Sequence, residues 1–279
     1  MSASPIPNAL SIAGIDPSGG AGLLADLKAF SALGAYGCGV VAALTAQNTR
    51  AVTAIHGVPP AFVRQQLDTL FADVRIDAAK IGMLGTAPIA QAVAEGLAGP
   101  LATGRPAHVV VDPVMVAKSG DELLTREATA MLIEAILPLA TVITPNLPEA
   151  GVLLRERAPE TLREMTRAAE RLRRLLPDDG HRWVLVKGGH LPGDPVDLLH
   201  DGDRLIELPA PRIETRHTHG TGCTLSAAIA ALLPQVEGDV PEAVRQAKRW
   251  LTEAIRRAGE LSVGGGHGPV HHFHQAWRR

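Results

Sequence analysis

Residues 217–233 read His-Thr-His-Gly-Thr-Gly-Cys-Thr-Leu-Ser-Ala-Ala-Ile-Ala-Ala-Leu-Leu. A tight glycine turn opens directly into a helix of small residues. Gly220 and Gly222 permit backbone angles that a side chain forbids. Main-chain amides then point at one spot, where the positive end of the helix dipole lies. Such a helix start receives anions. Cys223 stands at its mouth, where the same field is expected to favour the thiolate. Gly220, Thr221 and Gly222 as an anion hole, with Cys223 handling the acceptor proton, suit phosphoryl transfer. The same turn also fits a plain helix start around a buried cysteine, so the surrounding chain has to decide.

Upstream, strand-like and helix-like segments alternate. Ala9–Ala13 reads as a short buried strand. A glycine-rich loop, residues 14–22, follows, and Leu23, Leu24, Leu27, Phe30 and Leu33 recur at helical spacing until Gly34. Gly14 and Gly19 have the separation of a phosphate-binding P-loop, but Gly20-Ala21 stand where Lys-Ser/Thr is needed. A substrate-side loop is the expectation. Residues 37–44 form the next strand, in which Cys38 reads as a small core residue. Gln47 comes just after its C-terminal end. Its amide offers a donor and an acceptor, which suits an aminopyrimidine edge; a solvated loop glutamine is the simpler alternative.

Residues 78–84 make a strand and its exit turn, with Met83 at the ligand edge. Residues 109–115 are a buried β run carrying Asp112, a metal-side or phosphate-side candidate whose alternative is a cap. Asn146 and Glu149 open another helix at a capping-box spacing, and Glu149 is also a candidate outer ligand of Mg²⁺. Residues 156–176 are charged, arginine-rich and helical, and read as a solvated face. Residues 183–190 read as a strand ending in Lys187 and two glycines, and Lys187 can reach a nucleotide phosphate. The last helix spans about 241–261. Alternation throughout argues for a mainly parallel sheet covered on both faces. The candidates gather at strand C-terminal ends and helix starts, where open sheets bind ligands.

Composition narrows the class. The chain has 279 residues, 46% hydrophobic and 20% charged, which suffices for one large domain over 1–279. A net charge of -2 gives no reason to expect nucleic-acid or membrane binding. No apolar run reaches membrane length, and no signal-peptide pattern follows the short polar start. Two cysteines make no disulfide framework, so a reduced cytoplasmic protein is expected. Only Lys28, Lys80, Lys118, Lys187 and Lys248 interrupt a general preference for arginine. A lysine that persists suggests a compact point charge, as at a phosphate. The tail carries His267, His271, His272 and His274 without a carboxylate or cysteine to complete a metal set.

Taken together, these motifs resemble the hydroxymethylpyrimidine/phosphomethylpyrimidine kinases of the thiamine pathway, within the ribokinase-like superfamily. The likeness rests on residues 13–22, 33–37, 45–49, 80–84, 112–115, 117–121, 144–150, 187–190, 217–226 and 268–274, in order along nearly the whole chain. It implies an α/β fold, a three-layer α/β/α sandwich with a central mostly parallel sheet. It implies transfer of the ATP γ-phosphoryl to hydroxymethylpyrimidine and then to its monophosphate. By the resemblance, Gly14, Asp16, Gln47 and Met83 surround the pyrimidine, and Asp112 and Glu149 lie on the Mg²⁺ side. Lys187 approaches the ATP phosphates and Lys248 flanks the nucleotide. A homodimer is the family expectation, and residues 113–121 are a plausible flap. Some family members carry an acidic residue at the position of Gln47, and glutamine rules out ion pairing with the ring. Related sugar kinases have an aspartate base at the position of Cys223. A thiol has the advantage that it need not repel the second, anionic acceptor. The rival readings are a pyridoxal-type kinase and a non-catalytic pyrimidine-binding protein.

Overall fold

The computed structural model describes residues 5–115 and 125–277. Its nine strands form one sheet: β1 (Asn8–Ile15), β2 (Tyr36–Gln47), β3 (Val52–Gly57), β4 (Ala78–Ile81), β5 (His108–Val111), β6 (Val142–Ile143), β7 (Trp183–Val186), β8 (Val196–His200) and β9 (Leu205–Pro209). The spatial order is β3-β2-β1-β4-β5-β6-β7-β8-β9. The six strands from β2 to β7 in this order pair in parallel, and antiparallel neighbours close both edges. Parallel strands covered on both faces read as near-continuous apolar runs, and β1, β4 and β7 are buried along almost their whole length.

Helices cover both faces. One layer comprises α1 (Gly22–Ala32), α7 (Thr221–Leu232) and α8 (Val240–Arg256); the other comprises α2 (Pro60–Phe71), α3 (Ala87–Ala102), α4 (Arg126–Met131), α5 (Leu147–Leu154) and α6 (Leu162–Arg173). This is the expected three-layer sandwich. From Thr224 to Leu232 every residue of α7 is buried, as befits a helix apolar on all sides. By contrast α8 is two-faced: Asp239 caps it by accepting from Glu242 N, and Val244, Ala247, Trp250, Leu251 and Ala254 face the core.

The strand order reverses beside β1: β2 lies to one side and β4 to the other. Ligands bind in open α/β sheets at such a switch point, off the strands' C-terminal ends. Gly14 at the end of β1 and Met83 just past β4 flank it, joined by Gly14 N–H donating to Met83 O over 3.1 Å.

Several local expectations shift. Strand β2 runs on through Gln47, because β3 pairs back against its last residues, so Gln47 is a strand residue. Strand β5 stops at Val111, which leaves Asp112 as the first residue beyond it. After Arg126–Met131 the helix loosens into a wider turn at Leu132–Ile136 and a tight one at Leu137–Leu139, where Pro138 cannot donate to the ladder. Within 156–176, α6 is not only a solvated face: Met165, Ala168, Ala169 and Leu172 are buried and its remaining arginines point outward, except Arg173. The motif at 117–121 and most of the flap at 113–121 lie outside the described residues. No described helix is long and apolar enough to cross a membrane.

Candidate active site

The turn before α7 is built around two glycines, of which Gly220 admits no side chain. Gly220 is left-handed, with φ 74°, and a Cβ there would stand 1.8 Å from Gly20 O. A Cβ on Gly222 would press on Lys187 Nζ at 3.2 Å. Thr221 N is loosely paired to Thr218 O at 3.4 Å, and Thr224 N closes on Gly220 O at 2.8 Å. The Gly222 and Cys223 amides between them belong to a helix start, whose first amides have no carbonyl partner inside the helix. A second helix start meets the first: the backbone N–H of Gly22, which opens α1, faces the Cys223 thiol and favours its ionised form. Two helix N-termini thus converge on Cys223.

That convergence does not ionise the thiol. Burial raises the Cys223 pKa to about 11; Lys80 works against this, but Asp112 and Asp26 add to it. The expected thiolate preference is overturned, because desolvation outweighs the helix field. Cys223 is a neutral thiol near pH 7 in the free protein.

Lys187 leaves the end of β7 and donates to Asp112 Oδ1 over 3.0 Å, with Glu149 Oε2 at 3.9 Å. Thr144 Oγ1 and Ser226 Oγ hold the two Asp112 oxygens at 3.1 and 3.3 Å. Burial favours the neutral Asp112 acid, yet Lys187, Lys80 and these hydrogen bonds outweigh it and hold the carboxyl below its usual range. Glu149 goes the other way. Burial lifts it to about 7, against the pull of Lys187 and with the push of Asp112. It also completes the capping box of α5: its carboxylate accepts from Asn146 N, while Asn146 Oδ1 accepts from Glu149 N, both at 2.8 Å. The cap and the ligand-side location are therefore one arrangement. Two carboxylates, one ionised and one poised, fit a hard cation that keeps most of its water and shares substrate phosphates. Among the described residues no group of three His, Cys, Asp or Glu side chains forms a metal cage.

A cavity of about 450 Å³ gathers the predicted residues. Gly14, Asp16, Gln47 and Met83 line one end; Asp112, Glu149 and Lys187 line the other, and Gly220, Thr221, Gly222 and Cys223 lie between. Met83 packs over Gly14, where a Cβ would stand 2.7 Å from its Cε. The Gln47 carbonyl is 3.1 Å from Thr45 Oγ1, whose proton has a shorter bond to Ile15 O at 2.8 Å, so the amide keeps both a donor and an acceptor for a ring edge. Asp16 is only 3% exposed; its carboxylate is taken up by Ser18, Ala21 and His219. An adjoining cavity of about 350 Å³ shares Lys187, Thr221 and Gly222 and is lined by Lys248 at its far wall. Lys248 is held there by Asp197 at 2.7 Å.

Sequence reasoning missed several residues. Ser226 and Thr144 fix Asp112, and nothing in their spacing marks them. Lys80 and Asp26 form a fully buried ion pair of 2.8 Å, with Ser11 donating to the same Asp26 oxygen. The scarcity of lysine was the available signal. All four described lysines act around this site: Lys28 binds Gly19 O in the glycine-rich loop, and Lys80, Lys187 and Lys248 each pair with an aspartate. The tail histidines hold protein: His272 Nε2 bonds Thr224 Oγ1 at 3.0 Å, beneath the first turn of α7.

A family model described as phosphomethylpyrimidine kinase matches residues 16–271. The chain belongs to the phosphomethylpyrimidine kinase family. It is 53% identical, over 97% of its length and 98% of the relative's, to a hydroxymethylpyrimidine/phosphomethylpyrimidine kinase of Rhizobium meliloti. Among solved structures it resembles the phosphomethylpyrimidine kinase of Clostridium difficile, with TM-score 0.76 and 40% identity over 90% of this chain and all of that one. It is also similar to an ADP complex of Bacillus subtilis pyridoxal kinase, with TM-score 0.85 and 36% identity over 96% of this chain and 98% of that one. Phosphomethylpyrimidine kinases and pyridoxal kinases thus share this sandwich, and the fold by itself does not choose between their substrates.

Proposed function

We propose that this chain phosphorylates 4-amino-5-hydroxymethyl-2-methylpyrimidine with ATP, first to the monophosphate and then to the diphosphate, for thiamine biosynthesis. The observation that carries this reading is the single cavity in which Gly14, Gln47 and Met83 face, across Cys223, the place where Lys187, Asp112 and Glu149 meet the glycine turn. The pyrimidine stacks at the Met83 and Gly14 end and reads Gln47. ATP enters along the adjoining cavity, with Lys248 at its far wall, and brings its γ-phosphate to Lys187 and the Gly220–Cys223 turn. Asp112 and Glu149 would hold Mg²⁺, which supplies charge neutralisation at the phosphates. One kinase domain spanning 1–279 carries the whole activity.

Phosphoryl transfer passes through a loose transition state that asks mainly for positioning and charge stabilisation. The amides of the turn and Lys187 meet the transferring group. A neutral Cys223 sulfur accepts a weak hydrogen bond from the attacking hydroxyl, whose proton passes late in the transfer to an oxygen of the incoming phosphoryl group. For the second transfer the acceptor is already an anion, and a neutral thiol does not repel it.

The chain works in the cytoplasm, in keeping with the free thiols Cys38 and Cys223, and assembles as a homodimer. Strand β3 supports the latter: it is an edge strand, with Ile55 exposed on it, and Leu44 and Phe62 are exposed nearby. Sedimentation of wild type against Ile55→Lys reads this out; two monomeric proteins, or two equal dimers, contradict that surface.

Mass spectrometry of products tests the function. The protein is incubated with the hydroxymethylpyrimidine, ATP and Mg²⁺, with pyridoxal in a parallel tube. Monophosphate followed by diphosphate is expected. Monophosphate alone removes the second step, and pyridoxal phosphate without a pyrimidine product moves the protein to the pyridoxal kinases.

A further inference from the structure

The glycine-rich loop after β1 and the turn before α7 lie about two hundred residues apart, yet they are locked together. His219 Nε2 and Asp16 Oδ2 are 2.7 Å apart, with 7% and 2% of their side chains exposed. The rest of the carboxylate is committed inside its own loop. Asp16 Oδ1 accepts from Ser18 N at 2.8 Å and Ser18 Oγ at 2.7 Å, and Oδ2 accepts from Ala21 N at 3.0 Å. A carboxylate offers about four acceptor directions, so Asp16 has little left for a ligand. Burial disfavours its ionised form, but the bonds from His219 and Ser18 outweigh burial and keep it charged.

The backbones are fitted to the same contact. A Cβ on Gly20 would stand 2.3 Å from His219 Cδ2, and one on Gly220 would stand 1.8 Å from Gly20 O. On its other side His219 is anchored by its own N–H, which donates to Gly268 O over 3.1 Å. The loop that ends in Gly22 therefore cannot move relative to Gly220–Cys223 without breaking a buried charge-assisted bond. Gly14 and Gly22 border the acceptor end of the cavity, and Gly222 borders Lys187.

We infer that Asp16 and His219 are positioning residues that set the register between the acceptor-binding loop and the phosphate-binding turn. The inference rests on the kinase reading above and goes beyond it, since it gives Asp16 a role other than pyrimidine ligand and assigns one to His219. A displacement of about 1 Å between reacting groups lowers a rate on the order of a hundredfold while leaving each ligand's own contacts intact.

The test is the split between turnover and binding in His219→Leu, Asp16→Asn, the double variant and His219→Gln, each checked for folding by thermal melting. The leucine and asparagine variants are expected to lose about 30–100-fold in kcat. The Kd of the pyrimidine and of AMP-PCP, measured separately by calorimetry, is expected to stay within about threefold. The double variant loses no more than the worse single one, as befits a unit, and His219→Gln, which can still donate to Asp16, recovers part of the rate. If His219→Leu does not fold, Asp16→Asn and His219→Gln carry the same comparison. Unchanged kcat, losses confined to pyrimidine Kd in Asp16→Asn, or losses that multiply in the double variant each overturn the inference while leaving the kinase reading standing. A wild type that makes no pyrimidine phosphate overturns that reading, and the inference with it.

Discussion

Lys187 and Asp112, seventy-five positions apart, meet at 3.0 Å across the end of β6, which lies between β5 and β7. The contact places a cation over a fully buried carboxylate and beside the glycine turn. Lys187→Met removes the cation from the phosphates and leaves Asp112 uncompensated. We expect kcat/KM for the nucleotide to fall about 10²–10³-fold, measured by steady-state kinetics. Lys187→Arg should rescue little, because a planar fork does not fit the space of a point charge against Gly222; near-normal activity in either variant contradicts the phosphate role.

Cys223 makes a prediction about the order of losses. A neutral thiol tolerates both acceptors, whereas a carboxylate at the same place repels the anionic one. Cys223→Asp should keep a measurable first transfer and lose the second by at least about tenfold more. Cys223→Ser, which is uncharged, should slow the second transfer no more than the first. Single-turnover assays with each acceptor separate the two, and a serine variant selectively blind to the monophosphate contradicts the argument.

Glu149 is held near a pKa of about 7 by burial, so the free protein carries a proton there in part at neutral pH. A divalent cation arriving with the nucleotide favours the carboxylate and expels that proton. Calorimetry of Mg²⁺–AMP-PCP binding in buffers of different ionisation heat should show up to about one proton released at pH 6.5 and less at pH 8, and Glu149→Gln should abolish the difference. Equal release at both pH values, or release that survives in Glu149→Gln, removes Glu149 from the metal side.

The buried pair of Lys80 and Asp26 concerns stability. Both side chains have no exposure, and Asp26 Oδ1 has no hydrogen-bond partner among the described residues. Lys80→Met strands a charge and should cost about 3–5 kcal/mol in urea unfolding. Lys80→Met with Asp26→Leu removes both charges and should recover most of that loss. A double variant as unstable as the single one means packing, not charge, sets the cost.

These residues also mark how far the sequence could be read. The alternation of apolar runs and turn residues was enough for the mostly parallel sheet and its two helical layers, though not for the ends of β2 and β5, because periodicity and glycine placement are local signals. The residues of the cavity were visible where a motif carries them: Gly220–Cys223, Lys187 after its strand, Asp112 after its own. Partners were not. That Asp16 is spent on His219, or that Ser226 and Thr144 fasten Asp112, depends on contacts across a hundred residues or more in some cases, and such pairings leave no spacing to read. The charge state of Cys223 went astray for a related reason. A helix start is a local feature that favours thiolate, but the depth of burial that opposes it is set by the whole fold.

His272 shows the same long-range dependence and gives a pH prediction. Burial, assisted by Lys28 and the neighbouring histidines, pushes its pKa from 6.5 to about 3. Its Nε2 meets Thr224 Oγ1, directly under the anion turn. Between pH 6.5 and about 3 the unfolded chain binds a proton at this residue and the native protein does not. Stability from this group is therefore complete above pH 6.5 and lost as the pH falls through that window, up to about 5 kcal/mol at the acid end. His272→Gln keeps a hydrogen-bonding group beside Thr224 and cannot titrate. Its unfolding free energy, followed from pH 7 to pH 4, should fall less steeply than that of the wild type by up to one proton's worth of slope. Parallel acid limbs mean that His272 is charged in the native protein and that the bond to Thr224 is made by an imidazolium.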